Sequence, residues 1–284
     1  MKSGFAFIDK PSGLTSHDVV NQARRLTGTK KVGHAGTLDP FATGLLILGI
    51  NKATRLLGFL LNLDKSYRAT MRLGEATNTD DLTGEIVEQN PIALLDEENI
   101  RSALLGHVGV RMQTPSSFSA KKVGGVKAYE RARNGEDVVL QPKEISIYSI
   151  ENIVIHFSSS TIDVDFDVRC SSGTYVRAIA RDIGNELGVG GHLISLRRTL
   201  IGEFSVDNAS TVESLKIVPI KEVCRLIMNL HTIQKPLYED VKHGKPLSFE
   251  CPEGLSALLF DEEVVAVIEN TQGIITYKVV LIEQ

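Results

Sequence analysis

From Thr161 to Cys170 the chain alternates without a break. Ile162, Val164, Phe166 and Val168 fall on one side of an extended backbone, and Asp163, Asp165 and Asp167 on the other. A period of two is the signature of a strand with one buried and one wet face. More strand-like stretches precede it: DVVL, EISIYSI and NIVIHF between 137 and 157, separated by polar breaks. Earlier in the chain, Gly4–Asp9 and Tyr67–Leu73 read as strands. GLLILGI (Gly44–Ile50) is a continuous apolar run that suits a strand buried on both faces.

Helical patterns lie between these strands but not in regular β-α order. Thr15 or Ser16 is placed to cap a helix that Asp18 supports and Gly28 ends. Asp96–Leu105, Lys127–Arg133 and Thr174–Leu187 read as helices, and so do residues 211–230. Strands mixed with helices in this way favour α+β over a doubly wound fold. The expected architecture is a mixed, largely antiparallel sheet flanked by helices. From about Lys235 the pattern changes to short strands and turns: LSFE, SALLF, EVVAVIE and GIITYKVVLI. We therefore divide the chain into a domain at 1–232 and a small β-rich module at 233–284.

A chain of 284 residues with 42% hydrophobic residues has enough apolar side chains for a core without disulfides or metal. No stretch approaches the roughly 20 apolar residues of a membrane span, and the N-terminus lacks the apolar region of a signal peptide. Cys170, Cys224 and Cys251 are sparse and widely spaced, which suits free thiols in a reducing cytoplasm. The net charge of −4 argues against nucleic acid only until its distribution is read. Residues 1–73 carry 11 Lys/Arg against 4 Asp/Glu, while residues 75–98 carry 8 acids and no base. Further basic blocks follow at 101–145 and 169–200. Blocks of this kind form either a solvated surface or, where folding brings them together, a phosphate-binding face.

The usual nucleotide and metal motifs are missing. Gly28–Gly33 has the glycine spacing of a phosphate loop, but His34 stands where lysine is needed. There is no GxSxG, HExxH or CxxC, and Cys and His do not cluster, so no cofactor and no metal are expected. The unusual stretch is His34–Leu46, HAGTLDPFATGLL. It holds a carboxylate, Asp39, between Leu38 and Pro40, in a loop bounded by glycines and just ahead of a buried strand. Proline biases Asp39 toward an extended conformation, and apolar neighbours make its carboxylate a better nucleophile or base. Read alone, Asp-Pro in a loop is usually a turn or a helix cap.

HAGTLDPFATGLL resembles the signature of the TruB-type tRNA pseudouridine synthases, whose GTLDP or GALDP aspartate is catalytic. Other stretches of this chain are similar to further motifs of that family, in order. They are Lys10–Ser16 (KPSGLTS), Lys65–Gly74 (KSYRATMRLG), Asn78–Gly84 (NTDDLTG), Gln113–Gly135, Gly173–Leu187 and Gly191–Arg198. The chain departs from the pattern at Ser116, where a second proline is usual, and at Phe118, where tyrosine is common. Its C-terminal module is short and acidic.

The resemblance implies an enzyme that isomerises a uridine in the T-arm of tRNA, position 55 in tRNA numbering. It implies a PUA-like C-terminal module, a segment at 111–140 that grips the RNA, and a cytoplasmic monomer with no obligatory protein partner. By resemblance Asp39 is the catalytic residue, and Tyr67 stacks on the uracil. Tyr175 takes the C5 proton or supports the pocket, Arg177 pairs with Asp39, and Leu196 packs on the base. His34 helps extrude the nucleotide, and Lys10 with Pro11 shapes the pocket edge. Lys121, Lys122, Lys127, Arg131 and Arg133 are candidates for gripping phosphates. Three routes stay open for Asp39: attack on C1′ of the ribose, attack on C6 of uracil, or abstraction of the C2′ proton. Two other functions are kept beside the leading one: an RNA-folding chaperone, and a guide-RNA-dependent synthase.

Overall fold

The computed structural model describes residues 2–116, 122–123, 126–127 and 140–282, with 122–123 and 126–127 as backbone only. The first half gives β1 (Gly4–Lys10), α1 (Ser16–Thr27), β2 (Val32–His34), β3 (Thr43–Ile50), α2 (Leu57–Leu61) and β4 (Lys65–Leu73). A small hairpin of β5 (Glu75–Thr77) and β6 (Ile86–Gln89) follows, then α3 (Glu97–Gly106), β7 (Gly109–Gln113), β8 (Lys122–Val123) and β9 (Val126–Lys127). The second half runs β10 (Lys143–Phe157), β11 (Ile162–Cys170), α4 (Val176–Glu186), β12 (Gly191–Ile201) and β13 (Phe204–Ser205). It ends with α5 (Ile220–Ile227), β14 (Asn229–Thr232), α6 (Lys235–Lys242), β15 (Gly254–Phe260), β16 (Glu263–Thr271) and β17 (Ile274–Val280).

The main sheet has the order β1-β3-β12-β4-β11-β10-β7, with β2 added to β3 and β13 to β12. Every pairing in it is antiparallel except β3 with β12. The architecture is thus α+β with a mixed, mainly antiparallel sheet. The alternation of β11 works as the pattern requires. Ile162, Val164, Phe166 and Val168 are buried beneath α3 and α4 with Ile100, Leu104, Ile179 and Ile183. On the other face Asp163 receives a fork from Arg72 at 2.7 and 2.8 Å, Asp165 accepts from Thr70, and Asp167 accepts from Arg68.

The apolar run of β3 is covered on both sides. Leu46, Leu48 and Ile50 pack with Val19, Val20 and Ala23 of α1, whereas Leu45 and Ile47 join a cluster with Phe5, Ile201, Ala257, Leu259 and Val267. The second cluster makes the C-terminal sheet, β14-β15-β16-β17, share a core with the larger one. Helix α1 begins with Thr15 and Asp18 capping each other reciprocally and ends at Gly28 in the left-handed conformation.

Several elements differ from the sequence reading. Residues 211–230 are not one helix: only Ile220–Ile227 is helical, and Pro219 caps it. Val212, Leu215 and Ile217 pack beside α1 and β1, while Val218 and Phe5 exchange backbone hydrogen bonds at 2.7 and 2.9 Å. EISIYSI and NIVIHF form one 15-residue strand, because the polar break at Glu151–Asn152 is a bulge with Asn152 at φ 54°. The stretch expected as loop around Gly33 contributes the short strand β2. LSFE is not a strand, and α6 was not anticipated. Lys127, expected to open a helix, lies in β9, and the rest of 128–133 is outside the described residues.

Among the described residues no helix is long and apolar enough to cross a membrane, and no three His, Cys, Asp or Glu side chains are grouped as a metal site requires.

Candidate active site

The loop between β2 and β3 is built as a rigid shelf. Asp39 and Ala42 close a tight turn (N–H to C=O, 3.1 Å) around Pro40 and Phe41. The KPSGLTS loop clamps this turn from behind. Gly13 N–H donates to the Pro40 carbonyl at 2.8 Å, and Ser12 Oγ donates to that of Phe41 at 3.1 Å. Ser16 Oγ accepts from Leu38 N–H at 2.9 Å and donates to the Leu38 carbonyl at 3.2 Å. Lys10 is fully buried, with Nζ donating to the carbonyls of Pro11, Leu14 and Pro40. Burial lowers its pKa to about 8, against the pull of the Asp39 carboxylate. Lys10 therefore lies behind the shelf and does not line the cavity in front of it.

That cavity, about 450 Å³, is lined by Asp39, Tyr67, Tyr175, Arg177 and Leu196, five of the seven residues singled out in the sequence. His34 is not among its walls. It pairs through its backbone with Leu48 on the sheet margin, and its buried Nδ1 has no hydrogen-bond partner. Burial, aided by the charge of Arg198, lowers the pKa of His34.

Asp39 faces the guanidinium of Arg177 in a fork, Nε to Oδ2 at 3.0 Å and Nη2 to Oδ1 at 3.2 Å. Arg177 is buried at the start of α4 and uses Nη1 on the Thr79 carbonyl at 2.9 Å and on Asp81 Oδ2 at 3.0 Å. Asp81, 3% exposed, is itself held by Thr79 Oγ1, Thr83 N–H and Thr83 Oγ1. The NTDDLTG turn thus fixes one carboxylate, which aims the guanidinium that aims Asp39. Asp39 keeps a third of its side chain exposed toward the cavity. Burial pushes its pKa up and the Arg177 charge pulls it down.

Tyr67 and Leu196 lie in the neighbouring strands β4 and β12, with Leu196 opposite Ala69. Both belong to the main core cluster and present an apolar surface to the cavity. Burial raises the pKa of the Tyr67 phenol, and the adjacent Arg198 charge opposes that. Tyr175 precedes α4, and its backbone N–H and carbonyl are both held by the Gln113 side-chain amide, at 2.9 and 3.0 Å.

Sequence reasoning missed Asp81, Gln113, Arg198, Lys65 and Lys143. Arg198 is 1% exposed and donates to the carbonyls of Leu45, Gly36 and Thr37, tying β12 to the shelf. Lys65 is bound to the carbonyls of Leu61 and Leu63, and burial lowers its pKa to about 8. The period of two held the signal: Leu196 and Arg198 share a strand face, as do Lys65 and Tyr67. Arg197, on the opposite face, pairs with Asp9 at 2.7 Å. Of the segment expected to grip RNA, residues 111–116 and 140 are described with their side chains. Ser116 is buried with Oγ on the Thr79 carbonyl at 3.4 Å. Phe118, Lys121, Arg131 and Arg133 lie outside the described residues, as do the side chains of Lys122 and Lys127.

The chain is similar to known proteins over most of its length. Residues 24–176 match the model of the TruB family pseudouridylate synthase N-terminal domain, and residues 177–235 that of the tRNA pseudouridylate synthase B C-terminal domain. The tRNA pseudouridine synthase B of Paenarthrobacter aurescens is 51% identical over 254 residues, covering 87% of this chain and 82% of that one. The enzyme of the same name from Thermobifida fusca is 44% identical over 286 residues, 96% of each. Among solved structures, a Cbf5-Nop10-Gar1 complex superposes with a TM-score of 0.71 at 24% identity, covering 98% of this chain and 85% of that one, a likeness of fold.

Proposed function

The chain belongs to the TruB family of pseudouridylate synthases, and we propose that it isomerises a uridine of the tRNA T-arm, position 55, to pseudouridine. What carries the reading is one observation: a partly exposed carboxylate, Asp39, gripped by the buried Arg177 beside the apolar surface of Tyr67 and Leu196. The reaction breaks the C1′–N1 bond, turns the uracil and joins C1′ to C5. The C5 hydrogen leaves and N1 gains one, so nothing is consumed.

The target base leaves its stack to reach such a pocket. Tyr67 offers a ring face to it and Leu196 an apolar floor. Asp39 acts as nucleophile or base by one of the three routes above, and its charge stabilises positive charge developing at C1′. Arg177 keeps that carboxylate ionised and in one orientation. Tyr175 closes the wall beside it and is positioned to meet the C5 proton. Lys10 acts at one remove, by stiffening the shelf, and His34 acts from the margin, helping to extrude the nucleotide. On this reading the protein is a cytoplasmic monomer that needs no cofactor, guide RNA or protein partner. The segment 111–140 grips the arm, and 233–284 is the PUA-like module, packed against the larger sheet.

The test is incubation with a T-arm stem-loop RNA, without ATP and with EDTA, and site-specific mapping of pseudouridine. Wild type converts one loop uridine, and Asp39→Asn binds the RNA and converts none. A wild type that binds stem-loop and full-length tRNA without converting either overturns the reading in favour of an RNA chaperone.

A further inference from the structure

One wall of the cavity is cationic, and the carboxylate that faces the cavity, Asp39, is already paired with Arg177. Lys65, Lys143 and Arg198 line that wall. Two of the three are spent on the protein: Arg198 on the carbonyls of Gly36, Thr37 and Leu45, and Lys65 on those of Leu61 and Leu63. Lys143 differs. It opens β10, is exposed, and among the described residues makes no ion pair or hydrogen bond through Nζ. Its ammonium lies across Gly173 at the cavity rim, so close that a Cβ on that residue would stand 2.7 Å from Nζ. The residues next to it on the rim, Ser171, Ser172 and Thr174, carry hydroxyls and no charge.

The backbone position of Lys143 is fixed. It pairs with Gln113 in the β7–β10 register, and the Gln113 side chain holds Tyr175. An unpaired ammonium is therefore mounted on the frame that sets the pocket wall, beside two cations whose charge it reinforces. Burial, with the Arg198 charge beside it, lowers the pKa of Lys65 to about 8; Cys170 and Asp64 oppose this, and Lys143 adds the smallest push in the same downward direction.

We propose that Lys143 binds a backbone phosphate flanking the uridine that enters the cavity, completing an anion subsite whose field Lys65 and Arg198 supply. This rests on the functional reading above. A nucleotide whose base lies on Tyr67 and Leu196 has its sugar at Asp39 and must leave through the rim, where both flanking phosphates pass. Phosphate contacts fix register and position without reading sequence. Lys143 is thus a substrate-positioning residue whose effect falls on KM.

The experiment is a thermodynamic cycle between protein and RNA charge. T-arm stem-loops are made with an uncharged methylphosphonate 5′ of the target uridine, 3′ of it, or in the stem. Wild type, Lys143→Ala and Lys143→Arg are assayed on each and on the unmodified RNA. On unmodified RNA, Lys143→Ala raises KM about five- to tenfold, the worth of one exposed charge-assisted contact. Lys143→Arg restores most of this. The salt dependence of binding by the Ala variant is shallower by about 0.7–0.9 in log–log slope. On one flanking methylphosphonate, wild type and Lys143→Ala become equal, while the stem methylphosphonate leaves their difference intact. An equal loss on every RNA, coupling only to the stem position, or no loss at all overturns the phosphate contact while leaving the enzyme reading standing. A wild type inactive on unmodified RNA refutes the enzyme reading and this proposal together.

Discussion

Arg177→Lys tests whether the fork onto Asp39, and not simply a nearby positive charge, is what the site needs. Among the described residues, arginine here makes four polar contacts at once. Nε and Nη2 serve the two oxygens of Asp39, and Nη1 serves Asp81 and the Thr79 carbonyl, all between 2.9 and 3.2 Å. A lysine ammonium keeps the charge but is a compact point and cannot span both carboxylates in that plane. It retains about half of the contacts, and hydrogen bonds to charged groups contribute roughly 1.5–3 kcal/mol each. The loss then comes to about 3–6 kcal/mol, or roughly 10²- to 10⁴-fold in kcat where all of it is felt as lost orientation at Asp39. RNA binding changes little, because neither carboxylate is a binding surface. Single-turnover conversion of a T-arm stem-loop gives the rate, and fluorescence anisotropy gives the affinity. A Lys variant within threefold of the wild-type rate refutes the argument. So does a variant whose whole defect lies in affinity.

Other expectations follow from the same framework. Lys10 is held at a pKa of about 8 when folded, against 10.5 for the free side chain. Between those pH values the unfolded chain carries the proton that the folded chain lacks, so this group makes stability rise with pH from 8 to 10.5. Lys10→Met makes that slope shallower by about 1.4 kcal/mol per pH unit in urea titrations, and an unchanged slope counts against the buried, weakened base. Gly44→Ala puts a Cβ 2.2 Å from the Arg198 carbonyl oxygen at a φ of 100°. It costs at least about 4 kcal/mol, read as loss of soluble protein or a collapse in Tm. Leu196→Ala, in a packed position 7% exposed, costs about 2–4 kcal/mol in denaturant melts. It also slows conversion by removing the floor under the base.

Much of this molecule is legible in residue order, for identifiable reasons. Strand β11 is legible because its two faces meet different media, and β3 because both of its faces meet apolar layers. The cap of α1 is local chemistry between Thr15 and Asp18. What escaped depends on contacts remote in sequence. The apolar spacing of Val212, Leu215 and Ile217 imitates a helix face, but these side chains are taken up by α1 and β1, and Pro219 disfavours helix in the residue before it. Glu151–Asn152 looks like a break, yet Asn152 tolerates a left-handed bulge. Helix α6 carries proline in its first turn, where proline is at home. At the site, Asp39 stands out locally between glycines, but Asp81 and Arg198 matter only once β12 and the 78–84 turn are folded against the shelf.

The place of β12 has a consequence for how the chain comes to be made. It inserts between β3 and β4, completed well over a hundred residues earlier, and its pairing with β3 is the parallel one. During synthesis β3 and β4 therefore emerge with open edges that nothing yet made can close. At typical elongation rates the missing strand arrives about ten seconds later. Contacts so distant in sequence slow folding, and exposed edges invite pairing with other chains. The nascent chain passes through a window of aggregation risk that ends when residue 201 clears the ribosome. Only then do Asp39, Tyr67, Arg177 and Leu196 occupy one space. A ribosome profile with a pause before that point should lower the soluble yield, while a pause after it should leave the yield unchanged.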